Sequence, residues 1–130
     1  MLWFSRYLAL VYAVGLAIGE AILNSRQDHW PFAPMWIIDY LIVFYLFTGF
    51  WVTRRGRNIA VLMSAYALSV GVMYMAFFMG LDPDHPGPPT PSGILALLGL
   101  VLCVSAVGLV ASAAAWYSRE RMTTAQRHSA

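Results

Sequence analysis

The chain has 130 residues, 60% of them hydrophobic and 11% charged, with eight basic and six acidic side chains and a net charge of +2. A soluble domain carries about 25% charged residues, so this composition cannot cover a water-facing surface, and lipid is the expected solvent. Every basic residue is arginine; the one basic cluster, RRGR, flanks apolar runs with no basic face around it, which excludes nucleic acid as a partner. The single Cys103 excludes an intramolecular disulfide or a cysteine metal cluster, and its apolar surroundings predict a packing residue.

A membrane-spanning helix needs about 20 predominantly apolar residues. Four segments qualify: 3–24, 35–53, 58–81 and 93–117. The first carries Arg6 at its start and Glu20 near its end; the second carries Asp39 near its start. Each is too long for a membrane strand of about 10 residues and lacks in–out alternation, so helix is predicted throughout. The connections SRQDHWPFAP and DPDHPGPPTPSG are polar and rich in proline, which cannot continue a helix, and RRGR is a tight charged turn. Residues 1–121 are therefore expected to form one all-α domain, a polytopic membrane protein with four transmembrane helices in an up-down bundle. Residues 122–130 are expected to form a polar, frayed tail.

Orientation follows from arginine, which concentrates in cytoplasmic loops. With both termini cytoplasmic, Arg6, Arg54, Arg55, Arg57, Arg119, Arg121 and Arg127 lie inside, and Arg26 alone lies outside with Asp28, Asp82 and Asp84. Trp3, Trp30, Trp36, Trp51, Trp116 and Tyr117 then fall near the two interfaces, as an aromatic belt. The expected location is a bacterial inner membrane. Residues 1–19 can also be read as a signal peptide ending at the small residues Ala17 and Gly19. Its basic region is thin and interrupted by Trp3 and Phe4, which favours a retained first helix.

The polar residues point to one place. Glu20 lies about 6 Å below the end of the first helix and Asp39 about 6 Å below the start of the second, at 1.5 Å per residue. Both are thus expected at one depth in the outer leaflet. Ala9, Ala13, Ala17, Glu20 and Asn24 share a stripe of the first helix, and small stripes let membrane helices approach closely. Gly15 and Gly19 form a GxxxG beside it. In the third helix Ala60, Ser64, Ala67, Gly71, Tyr74 and Phe78 form the stripe expected to face inward; in the fourth, Ser105, Gly108, Ser112 and Ala115.

Intramembrane ionisable residues tend to face a watery cavity and to mark function. The candidate ligand-binding set is accordingly Glu20, Asn24, His29, Asp39 and Tyr74, under a proline-rich loop. Two close carboxylates can also divide the work of acid and base, which makes Glu20 and Asp39 the catalytic candidates if the protein is an enzyme. The structural alternative gives each acid a separate role: Glu20 paired with Arg26 or reaching the headgroups, Asp39 complementing the dipole at its helix start. No metal site or cofactor is expected. Met73 and Met75 point about 200° apart on a helix and cannot converge on copper, and His29, His85 and His128 all lie outside the expected spans.

In outline the chain resembles small multidrug exporters, with four helices and a glutamate in the first; its longer outer loops and second acid depart from them. It is similar in outline to small membrane isomerases and cyclases that use paired acids, with no motif shared residue by residue. Three functions remain open: binding or transport of a small lipophilic or cationic ligand, an acid–base isomerase or cyclase, and an accessory subunit of a larger membrane complex. A homo-oligomer or a membrane-protein partner is compatible with the small-residue faces.

Overall fold

The computed structural model describes residues 1–25, 33–55, 58–84 and 89–128. These form four helices: α1 (Leu2–Ser25), α2 (Ala33–Arg54), α3 (Ile59–Leu81) and α4 (Ser92–His128). Each is long and apolar enough to cross a membrane.

Local chemistry sets the ends. Pro34 sits in the first turn of α2, where its missing N–H has no intrahelical acceptor to lose. Asn58 caps α3, its side chain accepting from the Ala60 N–H at 3.0 Å. At the other end of α3, Asp82 turns the chain out of the helix and accepts from the Asp84 N–H at 3.0 Å. The Pro91 carbonyl starts α4 by accepting from the N–H groups of Ile94 and Leu95 at 2.9 and 3.1 Å. Residues 122–128 of the expected polar tail continue α4, which runs to His128. The segment RERMTTAQRH holds neither glycine nor proline and is rich in strong helix formers, so nothing stops the helix at the polar boundary.

The helices alternate in direction around a closed ring, with neighbours α1–α2, α2–α3, α3–α4 and α4–α1. Contacts fix the register. Arg6 and Tyr7 of α1 meet Thr53 and Phe50 of α2. Tyr45 and Gly49 meet Ser64 and Leu62 of α3, whereas Gly80, Gly99 and Gly108 tie successive levels of α3 and α4. The first and last helices thus bring their arginine-bearing ends, Arg6 and Arg119, to the same end of the bundle.

The interior follows a seam with alternating steps of four and three residues, the spacing of helices packed nearly antiparallel. It reads Ser5, Ala9, Tyr12 on α1; Ile42, Leu46, Gly49, Thr53 on α2; Ile59, Leu62, Tyr66, Ser69, Met73 on α3; and Ser105, Gly108, Ser112, Ala115 on α4, all buried. The α4 stripe is the one expected. The α3 stripe is not: Ser64, Ala67, Gly71, Tyr74 and Phe78 face outward, and Tyr66 takes the inside. The reason is complementarity. Gly108 leaves a gap on α4 that the Tyr66 ring fills, so close approach needs small residues on one partner only. Gly15 and Gly19 have no neighbouring atom within 4 Å of where a Cβ would stand, so that GxxxG packs against nothing inside the bundle. Cys103 is exposed rather than packed, one step off the α4 seam.

Two tyrosines bridge the diagonal from α3 to α1. Tyr66 donates to the Ser5 carbonyl at 2.9 Å, and the Tyr12 hydroxyl lies 2.5 Å from the Ser69 hydroxyl. Ser5 in turn donates to the Gly108 carbonyl at 3.4 Å. Other hydroxyls return to their own helix: Thr53 to Gly49 at 2.6 Å, Ser105 to Leu102 at 2.8 Å, Ser112 to Gly108 at 2.9 Å. Such back-bonding satisfies a hydroxyl where no water is at hand.

Candidate functional site

The register carries Glu20 and Asp39 to one level. Arg6 meets Thr53, and fourteen residues onward along α1 is Glu20, as fourteen back along α2 is Asp39. Asp39 continues the α2 seam three residues before Ile42, and Glu20 lies a heptad past the buried Ala13. Both are half-buried. Glu20 and Asp39 lie within electrostatic reach of each other.

Beneath them Asp39 also acts on Tyr12. Tyr12 is 7% exposed and Ser69 fully buried, with Ser105 beside the pair. Together they form a polar floor. Ile42, three residues past Asp39, stands between the acids and Tyr12, and with Leu46, Leu62 and Tyr66 it fills the interior, all four fully buried. The charge along the bundle is polarised: Glu20, Asp39, Asp82 and Asp84 lie toward one end, and Arg6, Arg54, Arg55, Arg119 and Arg121 toward the other with Glu120.

The other expected site residues are placed as follows. Asn24 is in the last turn of α1, with its side chain outside the described residues, and His29 lies outside them altogether. Tyr74 is turned away from the interior, a correction to its expected lining role: it is 51% exposed and stacks on Phe78 with ring centroids 4.5 Å apart. Met73 takes the inward position next to it. Among the described residues no group of three or more His, Cys, Asp or Glu side chains converges as a metal-ligand set.

The floor residues Tyr12 and Ser69 were not expected from sequence, whereas Ser105 lies on the inward stripe expected of the fourth helix. Their signal lies in the seam itself: on α3 the steps from Ile59 through Leu62, Tyr66 and Ser69 to Met73 alternate three and four, placing Ser69 inside. No family model, no curated protein and no solved structure matches the chain.

Proposed function

We propose that the chain spans a bacterial inner membrane four times, arginine end in the cytoplasm, and that Glu20 and Asp39 bind a small lipophilic cation from the opposite face. The observation that carries the reading is the carboxylate pair itself. Two acids on adjacent helices are held level, half-buried and within electrostatic reach, above a floor of hydroxyls. Ionised acids this close repel, and a cation between them removes the repulsion. A cation with an apolar body is favoured, because a small hydrated ion would lose more solvation than a half-buried pair returns.

Orientation is supported by the polarised charge, since the membrane retains arginine-rich ends on the cytoplasmic side. Trp3 and Trp51 are exposed at that end, and Arg55 stands 5.7 Å from the Trp51 ring, an interfacial arrangement of amphipathic side chains. Binding is favoured over free passage because the interior below Tyr12 is filled. Movement of a ligand across the bundle requires the Tyr12–Ser69 and Tyr66–Ser5 bridges to open.

Equilibrium binding of tetraphenylphosphonium to the purified protein tests the site. Glu20→Gln and Asp39→Asn are each expected to weaken binding tenfold or more, equivalent to at least about 1.4 kcal/mol. Unchanged affinity in both variants removes the proposal.

A further inference from the structure

The interior is packed unevenly from end to end. At the arginine end burial reaches the helix termini: Ser5 and Thr53 are fully buried, and Ile59, the first residue of α3, nearly so. At the acidic end it stops early. Among the described side chains, none is buried on α1 beyond Ala13, on α2 before Ile42, on α3 beyond Met73 or on α4 before Ser105. These limits stand about 12–20 Å inside the helix ends, at 1.5 Å per residue.

The two helices that close the ring, α1 and α4, part most clearly. Ser5 donates to the Gly108 carbonyl, which fixes their register. Two heptads onward along α1 is Gly19, and two heptads back along α4 is Ile94. Gly19 thus shares a flank of α1 with Ser5 and Tyr12, yet no atom stands within 4 Å of where its Cβ would be; the same holds at Gly15, one turn below. The facing flank of α4 opens in step. Ala111 is buried, Val104 a heptad before it is half-buried, and Leu97 a heptad earlier is 49% exposed. Gly108, Val101 and Ile94 repeat the series, ending at 39% exposed. The seam is closed at Ser5 and Gly108 and open where Gly15 and Gly19 face Ile94 and Leu97.

Packing does not account for the opening, since membrane helices gain by close approach at small residues. The cleft faces sideways, and Glu20, next in sequence to Gly19 and level with Asp39, stands at its inner edge. An apolar slot that ends on two acids matches a cationic head with a single alkyl chain. Phospholipid heads also carry phosphate, which the acids repel. The packed interior at Ile42 and Tyr12 denies a chain any path down the bundle axis, so passage through the slot into lipid keeps it out of water.

We propose that the α1–α4 cleft is a lateral entrance from the outer leaflet, seating the alkyl chain of an ammonium amphiphile whose head lies between Glu20 and Asp39. This rests on the carboxylate pair as a cation site and on the orientation given above.

The full chain in phosphatidylcholine nanodiscs is loaded with tetraphenylphosphonium, which has no chain, and titrated with decyltrimethylammonium. Displacement is expected. Gly15→Phe and Leu97→Trp add bulk to opposite walls of the cleft, at positions with room for it. Each should weaken decyltrimethylammonium about tenfold, as a clash of overpacking size requires, and change tetraphenylphosphonium affinity less than about twofold. Failure of decyltrimethylammonium to displace, or variants that weaken it no more than tetraphenylphosphonium, overturns the cleft and leaves the acid pair standing. If Glu20→Gln and Asp39→Asn leave both ligands unchanged, the pair falls and the cleft proposal with it. Should one wall variant fail to fold, the other decides the matter.

Discussion

Gly108→Ala adds one methyl group where the bundle has no room. A Cβ at 108 would stand 2.6 Å from Cδ1 of Tyr66 and closer still to Cε1 and Cζ. Carbon atoms in contact lie about 3.5–4.0 Å apart, so the ring must retreat by roughly 1 Å or more. It cannot do so freely: Tyr66 is fully buried and its hydroxyl is anchored to Ser5 on the far side. Overpacking of this kind costs about 1–3 kcal/mol, and a buried ring with no escape belongs at the upper end. Loss of the Tyr66–Ser5 bond adds about 0.6 kcal/mol, the mean for hydrogen bonds between membrane helices. Against these stands the better helix propensity of alanine, up to about 1 kcal/mol. The net expectation is a destabilisation of about 2–3 kcal/mol. Reversible unfolding in mixed micelles with rising dodecyl sulfate, followed by circular dichroism, measures it. The decisive comparison is a double-mutant cycle with Tyr66→Ala: with the ring gone, Gly108→Ala should cost less than about 0.5 kcal/mol. An equal cost in both backgrounds would refute the steric reasoning.

Further expectations come from the same contacts. Gly49→Leu should destabilise α2–α3 packing, because a Cβ at 49 already stands 3.0 Å from the Leu62 backbone, whereas Gly15→Ala should be neutral or slightly stabilising; the same micelle unfolding ranks the two. Tyr12→Phe should cost about 0.6–1.7 kcal/mol, with Ser69→Ala adding little in the Tyr12→Phe background because the two hydroxyls are one interaction. Additive losses would mean the pair does not bond. Orientation is read in whole cells carrying Cys103→Ser and a single introduced cysteine. Asp84→Cys should react with an impermeant maleimide from outside, and Arg121→Cys only after permeabilisation; the reverse pattern would invert the topology.

The small-residue stripes show where inspection of single helices succeeds and where it misleads. On α1, Ala9 and Ala13 were expected inside and are fully buried there. On α3 the same rule selected Ser64, Ala67 and Gly71, and the bundle turns them outward. Nothing in α3 alone says that its partner supplies the gap; that information resides in Gly108 of α4, far along the chain. The four–three spacing was the better guide, because it reports which residues recur on a packed face irrespective of their size. Tyr12, Ser69 and Ser105 illustrate the same point: each hydroxyl is unremarkable in its own helix, and only the diagonal approach of α1 and α3 makes two of them one buried bond.

By itself the sequence determined the number of helices, their alternating direction and their approximate ends, apart from the C-terminal end of α4. Those depend on apolar run length, proline and charge, which are local properties of the chain. It also determined that Glu20 and Asp39 fall at similar depths, since depth along a helix is a count of residues from its end. Azimuth was decided by tertiary structure. Which face of α3 turns inward and whether Tyr74 lines the interior follow from side chains on different helices filling one another's gaps. An apolar helix in lipid gains little by showing one apolar face rather than another, so shape complementarity, read only between helices, fixes the rotation.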